Sequence, residues 1–182
     1  MPGERKKEKE TNMFSGLMAR LRPAKVSAPV GTIIRLNHLI RPTYPDWVDP
    51  EWINAANFVA LERAGPETFT LEEIRANLWL HEGQKNGGGV RGNIIYDFLR
   101  EHDMLEKHLG LADGLAIQRE GIAVFRKFFG DKVLYLWRGT VRDRHGRLRV
   151  PCLCEDGGRV VLGWRWLDGG WRDSGPAGRF AS

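Results

Sequence analysis

The spacing of hydrophobic positions changes twice along the chain. Residues 32–40, Thr-Ile-Ile-Arg-Leu-Asn-His-Leu-Ile, are β-branched or apolar and end at Arg41-Pro42. That predicts a strand running into a rigid loop, because proline bars the residue before it from helix. The loop carries Pro45 and Pro50 with Tyr44, Trp47 and Trp52, aromatic groups suited to pinning it to the body. Residues 52–61 fit a strand or a short helix equally well.

Helical spacing follows. Thr70 with Glu73 three residues on has the form of a capping box and predicts a helix from Leu71 to about Glu82, with Leu71, Ile74 and Leu78 inward. A second helix is expected over about 91–109, stopped by Gly110, then an extended piece at 115–118 and a last helix over 120–129. From residue 132 the period becomes two. Strands are expected over 133–143, 147–154 and 159–167, joined by glycine turns at Arg144-His145-Gly146 and Glu155-Asp156-Gly157-Gly158. Leu148, Val150 and Cys152 then oppose Arg147 and Arg149, while Val160, Leu162, Trp164 and Trp166 oppose Arg159, Val161, Gly163 and Arg165. Pro151 inside the second strand marks an edge or a bulge.

These elements predict an α+β fold: an N-terminal strand and loop, two or three helices, and a C-terminal three-stranded antiparallel meander. Residues 1–29 mix charge with proline and are expected to be a disordered tail, within which residues 13–22 have the spacing of a short docking helix. Residues 30–182 then form one domain, with a helical part over about 70–130, the meander over about 132–171, and a mobile end until Phe180.

Charge sharpens the picture at one place. The chain carries a net +5, and after residue 131 it has 10 Lys+Arg against 5 Asp+Glu, whereas the part before balances at 18 and 18. Arg138, Arg142, Arg144, Arg147, Arg149, Arg159 and Arg165 fall within 28 residues, interleaved with Trp137, Trp164, Trp166 and Trp171. Guanidinium forks bind phosphate and flat rings stack on bases, so the meander is expected to bind nucleic acid, with Arg138, Arg142, Arg147, Arg149, Arg159, Arg165 and Trp171 as the contact residues. The alternative is a protein-interaction or assembly module using the same surface. No apolar run reaches the 18 residues a membrane helix needs, and the two cysteines are too few for a disulfide scaffold, so a cytoplasmic protein is expected.

Other motifs add little. Residues 87–92, Gly-Gly-Gly-Val-Arg-Gly, match GxGxxG letter for letter and open a predicted helix, but they follow a helix rather than the strand of a dinucleotide site, and read as a linker. Cys152 and Cys154 share one side of a strand, yet a zinc site needs four ligands and only His145 is near in sequence. His102 with Glu106 and Asp103 with Lys107 have the spacing of surface pairs one helical turn apart. No nucleophile stands beside an identifiable base, so the expectation is a non-enzymatic protein with neither cofactor nor metal.

Arg138-Gly-Thr-Val-Arg142, Asp156-Gly157-Gly158-Arg159, Trp166-Leu167-Asp168, Trp171, Pro176 and Ala181-Ser182 together give a further pointer. In these pieces the chain resembles a loose group of small, functionally uncharacterised bacterial proteins of candidate phyla that end in a Gly/Trp-rich meander. Those proteins tend to have aromatics where this chain has Val160 and Val161. The resemblance implies an α+β fold from about residue 32 onward and carries over no site residue.

Overall fold

A computed structural model of the chain describes residues 31–181; the expected disorder of 1–29 and the docking helix at 13–22 lie outside the described residues. In chain order the elements are β1 (Ile33–Arg35), α1 (Pro50–Asn54), α2 (Ala56–Arg63), β2 (Thr68–Thr70), α3 (Leu71–Ala76), β3 (Val90–Arg91), α4 (Gly92–Glu101), α5 (Leu111–Arg119), α6 (Ile122–Phe129), β4 (Leu134–Tyr135), β5 (Val141–Arg142), β6 (Leu148–Asp156), β7 (Arg159–Trp166) and β8 (Gly170–Trp171). The architecture is α+β, with six α-helices among the described residues and antiparallel strands gathered toward the C-terminal end.

The meander forms with β6 at its centre. It pairs with β7 over eight residues on one side, from Arg149 opposite Trp166 to Asp156 opposite Arg159, and with β4 and β5 on the other. The expected first strand is broken because a 3₁₀ turn, Trp137–Gly139, bulges out between β4 and β5. The break faces Pro151. Within a strand a residue's C=O and N–H point to the same side, and Pro151 C=O accepts from Leu136 N at 3.0 Å, so the N–H it lacks would have pointed at the bulge. Gly139 fits there because a Cβ would stand 2.9 Å from Pro151 Cγ.

Both faces of this sheet carry core clusters. Leu134, Leu153 and Val160 pack with Ile117 of α5 and Phe125 and Phe129 of α6. Tyr135, Val150 and Cys152 pack on the opposite side with Ile95 and Leu99 of α4, Trp137 and Trp171. A third cluster holds the proline loop, where Val48, Phe58, Tyr44, Trp47 and Trp52 close over Val141 and Trp164.

Three local expectations are corrected. Residues 115–118 are helical, inside α5, because Asp113 caps the helix start by accepting from Gly110 N at 2.6 Å. Gly110 therefore begins a helix instead of ending one. The helix at 71–82 stops at Ala76: Thr70 does cap it, accepting from Glu73 N at 3.2 Å, but the Glu73 side chain accepts from Ala181 N at 3.1 Å and leaves the box half made. The segment after Trp171 is not a loose end. Residues 175–178 and Phe180 are buried, and the segment runs as a strap between the two larger clusters. Tyr135 N donates to Pro176 O at 3.0 Å, Trp79 and Ala177 exchange bonds at 3.0 and 2.9 Å, Leu109 N donates to Gly178 O at 2.9 Å, and Phe180 N donates to Lys107 O at 2.9 Å. The two glycines of the strap allow this approach, since a Cβ on Gly175 would lie 2.4 Å from Tyr135 Cε2 and one on Gly178 2.4 Å from Leu109 Cδ1.

Candidate interaction surface

The open end of the β6–β7 hairpin carries alternating indoles and guanidiniums. Its base is Asp143, 2% exposed at the start of the turn into β6. One carboxylate oxygen accepts from His145 N at 2.9 Å and Arg147 N at 3.0 Å. The other accepts from Arg147 Nε at 3.1 Å and from Arg149 Nε and Nη2 at 3.4 and 3.2 Å. Desolvation would raise this carboxyl, but the amides of Arg147 and His145 and the Arg149 guanidinium outweigh it and hold it at about 2. The two arginines are thereby fixed by one anion.

Their planes lie against tryptophan. The Arg149 guanidinium sits 4.5 Å from the Trp47 ring centre and 4.9 Å from that of Trp166, and Arg147 sits 4.7 Å from Trp166. Cross-strand register places Arg149 opposite Trp166, and Trp47 arrives from the proline loop, edge-on to Trp164 at 5.2 Å. The loop is tied there by Arg144 N to Trp47 O at 3.2 Å and Asp49 N to Arg142 O at 2.9 Å. Trp166 remains 47% exposed. A large exposed indole is thus held in one orientation before anything binds it.

The other residues expected to make contacts are dispersed. Arg138 is 1% exposed and pairs with Asp113, so it is part of the interior. Trp171 is 3% exposed and packs on Tyr135 and Trp137, with ring centres 4.0 and 5.2 Å away. Arg142 turns toward Asp49, donating from Nε at 2.9 Å and Nη2 at 2.6 Å, and lies over Trp52 at 5.2 Å. Arg165 and Arg159 are exposed on the face opposite Trp166, Arg165 lying 6.0 Å from the Trp171 ring. The basic residues therefore never form one face: period two separates Arg149 from Arg165, and burial removes Arg138.

The remaining motifs are structural where they fall. The first amides of α4 are already bonded, Gly92 N to Gly169 O at 3.2 Å, Asn93 N to Leu167 O at 3.0 Å and Ile94 N to Asn93 Oδ1 at 3.0 Å, so the glycine run offers no phosphate cradle. Cys152 is buried, and desolvation pushes its thiol up to about 11. Among the described residues no three of His, Cys, Asp and Glu gather as a ligand set. His102 and Asp103 lie past the end of α4, so the one-turn spacing does not form; the His102 ring meets Phe98 O through Nδ1 at 2.8 Å instead. Asp143 and Trp47 were not expected as site residues. The available signal was Asp143 four residues ahead of Arg147, with a tryptophan in a proline-fixed loop. No helix among the described residues is long and apolar enough to cross a membrane. Comparison with protein-family models, with curated proteins and with solved structures gives no match.

Proposed function

We propose that the chain is a non-enzymatic, cytoplasmic binding module that grips an acidic, apolar segment of a protein partner on the platform of Trp47, Arg149, Trp166 and Arg147. The observation that carries this reading is a half-exposed Trp166 held against two guanidiniums that share a single carboxylate. Tryptophan and arginine dominate binding hot spots, and side chains ordered in advance lose less entropy on association. One positive charge in excess over Asp143 favours a partner that brings a carboxylate beside an apolar side chain.

Nucleic acid is the second reading, favoured by the exposed Arg159 and Arg165, neither of which pairs with a carboxylate among the described residues. Charge count favours the first. Electrostatic binding to nucleic acid grows with the number of phosphates neutralised, and each face of this hairpin presents about two arginines.

The test selects peptides from a displayed random library on the purified chain, then titrates the winners and a labelled single-stranded oligonucleotide at low and near-physiological salt. Selected peptides rich in Asp or Glu next to Leu, Phe or Trp should bind with weak salt dependence and lose about 30-fold in affinity with Trp166→Ala. Oligonucleotide binding that falls steeply with salt and is weakened by Arg147→Ala/Arg149→Ala, with no peptide enriched, would replace the protein-partner reading with the nucleic-acid one.

A further inference from the structure

Apart from the platform, a cleft of about 450 Å³ opens among α1, α2, α4 and β5, within the size range that holds small molecules. We infer that it binds a small flat ring carrying one acidic group, a heteroaromatic carboxylate or phosphate monoester.

Three kinds of group line it. Trp52 and Phe58 supply ring faces, and Trp52 is fixed by donating from Nε1 to Thr140 O at 3.3 Å. Arg142 and Arg100 supply charge. Arg142 spends Nε and Nη2 on Asp49, leaving Nη1 without a described protein acceptor. Arg100 holds Asp97 through Nη2 at 3.1 Å, with both side chains more than half exposed, at 60% and 51%. Such an exposed pair is worth about 0–1 kcal/mol and yields readily to a better-placed acid.

The third group is Tyr96, and it points most directly to a ligand. Its side chain is 6% exposed, it lines the cleft, and its hydroxyl pairs with no protein group among the described residues. Burial raises its ionisation above the ordinary phenol range, so at neutral pH it is a hydrogen-bond donor. A buried ring whose hydroxyl opens on the cleft and is unspent by the protein suits an acceptor that arrives from outside. Asn57 and Glu51 line the same cleft and offer an amide and a carboxylate to the N–H and C=O edge of a heterocycle. An acid meeting Arg142 Nη1, Arg100 and Tyr96, with its ring against Trp52, engages the charge, the hydroxyl and the aromatic wall of the cleft together. Neither the ring alone nor the anion alone does so.

The experiment is calorimetric titration of the full chain with adenosine monophosphate and with indole-3-carboxylate, which separate the phosphate and carboxylate sources, and with their respective halves, adenosine and inorganic phosphate for the first and indole and acetate for the second. At least one of the two acids should bind, and bind at least tenfold more tightly than either half. Tyr96→Phe, which removes only the hydroxyl, should weaken binding about 5-fold, and Arg142→Gln about tenfold or more. Lys132→Gln, at an exposed residue that does not line the cleft, should leave it unchanged. Absence of binding by both acids at millimolar concentration overturns the inference. So does binding that Tyr96→Phe and Arg142→Gln leave untouched, or a half that binds as tightly as the whole.

Discussion

At Arg138 a guanidinium that cannot lose its proton lies 1% exposed, in contact with Asp113, itself 0% exposed. Burial pushes the Asp113 carboxyl up, and the adjoining guanidinium pulls it back toward the ionised form. Glycine makes room for the pair, since a Cβ on Gly65 would sit 2.2 Å from Arg138 Nη1 and one on Gly110 2.9 Å from Nε. Breaking one side of such a pair strands a buried charge. Arg138→Met should therefore cost about 3–5 kcal/mol in urea unfolding, while Arg138→Met with Asp113→Leu should recover all but the roughly 1 kcal/mol of the lost Gly110 cap. His108, next to this pair and 0% exposed, sets a pH dependence. Desolvation takes its imidazole down to about 4 despite the Nδ1 bond to Met104 O at 2.8 Å, and Arg179 and Arg138 add to the depression. The unfolded ring binds a proton near pH 6.5 and the folded one only near 4, so stability is full above 6.5 and falls as pH drops between those values. Unfolding at pH 5.5 should show about 1 kcal/mol less stability than at pH 7.5 from this source, and His108→Gln should remove that difference.

Among the elements, the strap over residues 174–180 has the largest consequence for its length. Its carbonyls and amides serve Val133, Tyr135, Trp79, Leu109 and Lys107, which belong to three separated stretches. Gly178→Ala places a methyl 2.4 Å from Leu109 Cδ1, and Leu109 is fully buried. A destabilisation of about 1–3 kcal/mol is expected, read as a lower urea midpoint at unchanged slope, whereas Gly170→Ala, whose Cβ meets nothing, should fall within about 0.5 kcal/mol of the parent. Sequence reasoning found the β6–β7 hairpin because glycine turns and strict alternation are local signals. It located Thr70 as a cap for the same reason. It missed the strap because Gly-Pro-Ala-Gly has no side-chain pattern at all; its order comes from partners 40 to 100 residues away. It missed α5 likewise, since a helix of nine residues draws its stability from packing, here with Gly114 close under Leu136, more than from its own propensity.

At the scale of the whole molecule, the α+β class was legible and the distribution of charge was not. Counting arginines in a window of 28 residues treats them as one patch, but a sheet with core packed against part of each face sends them in different directions: Arg138 inward, Arg142 to the cleft, Arg147 and Arg149 to the platform, Arg165 and Arg159 to the reverse side. The tryptophans divide in the same way, Trp171 into a core and Trp166 toward solvent. Side-chain alternation was read correctly along β6 and β7, yet which face meets water depends on α4, α5 and α6, whose positions no single strand encodes. The strap also imposes an order on synthesis. A ribosome delivers residues 174–180 after every surface they join, so the cover they give both main clusters is added last, once residue 180 has left the exit tunnel. A nascent chain halted before that point shows the rings of Tyr135 and Phe69 and the side chain of Leu109 without their final cover.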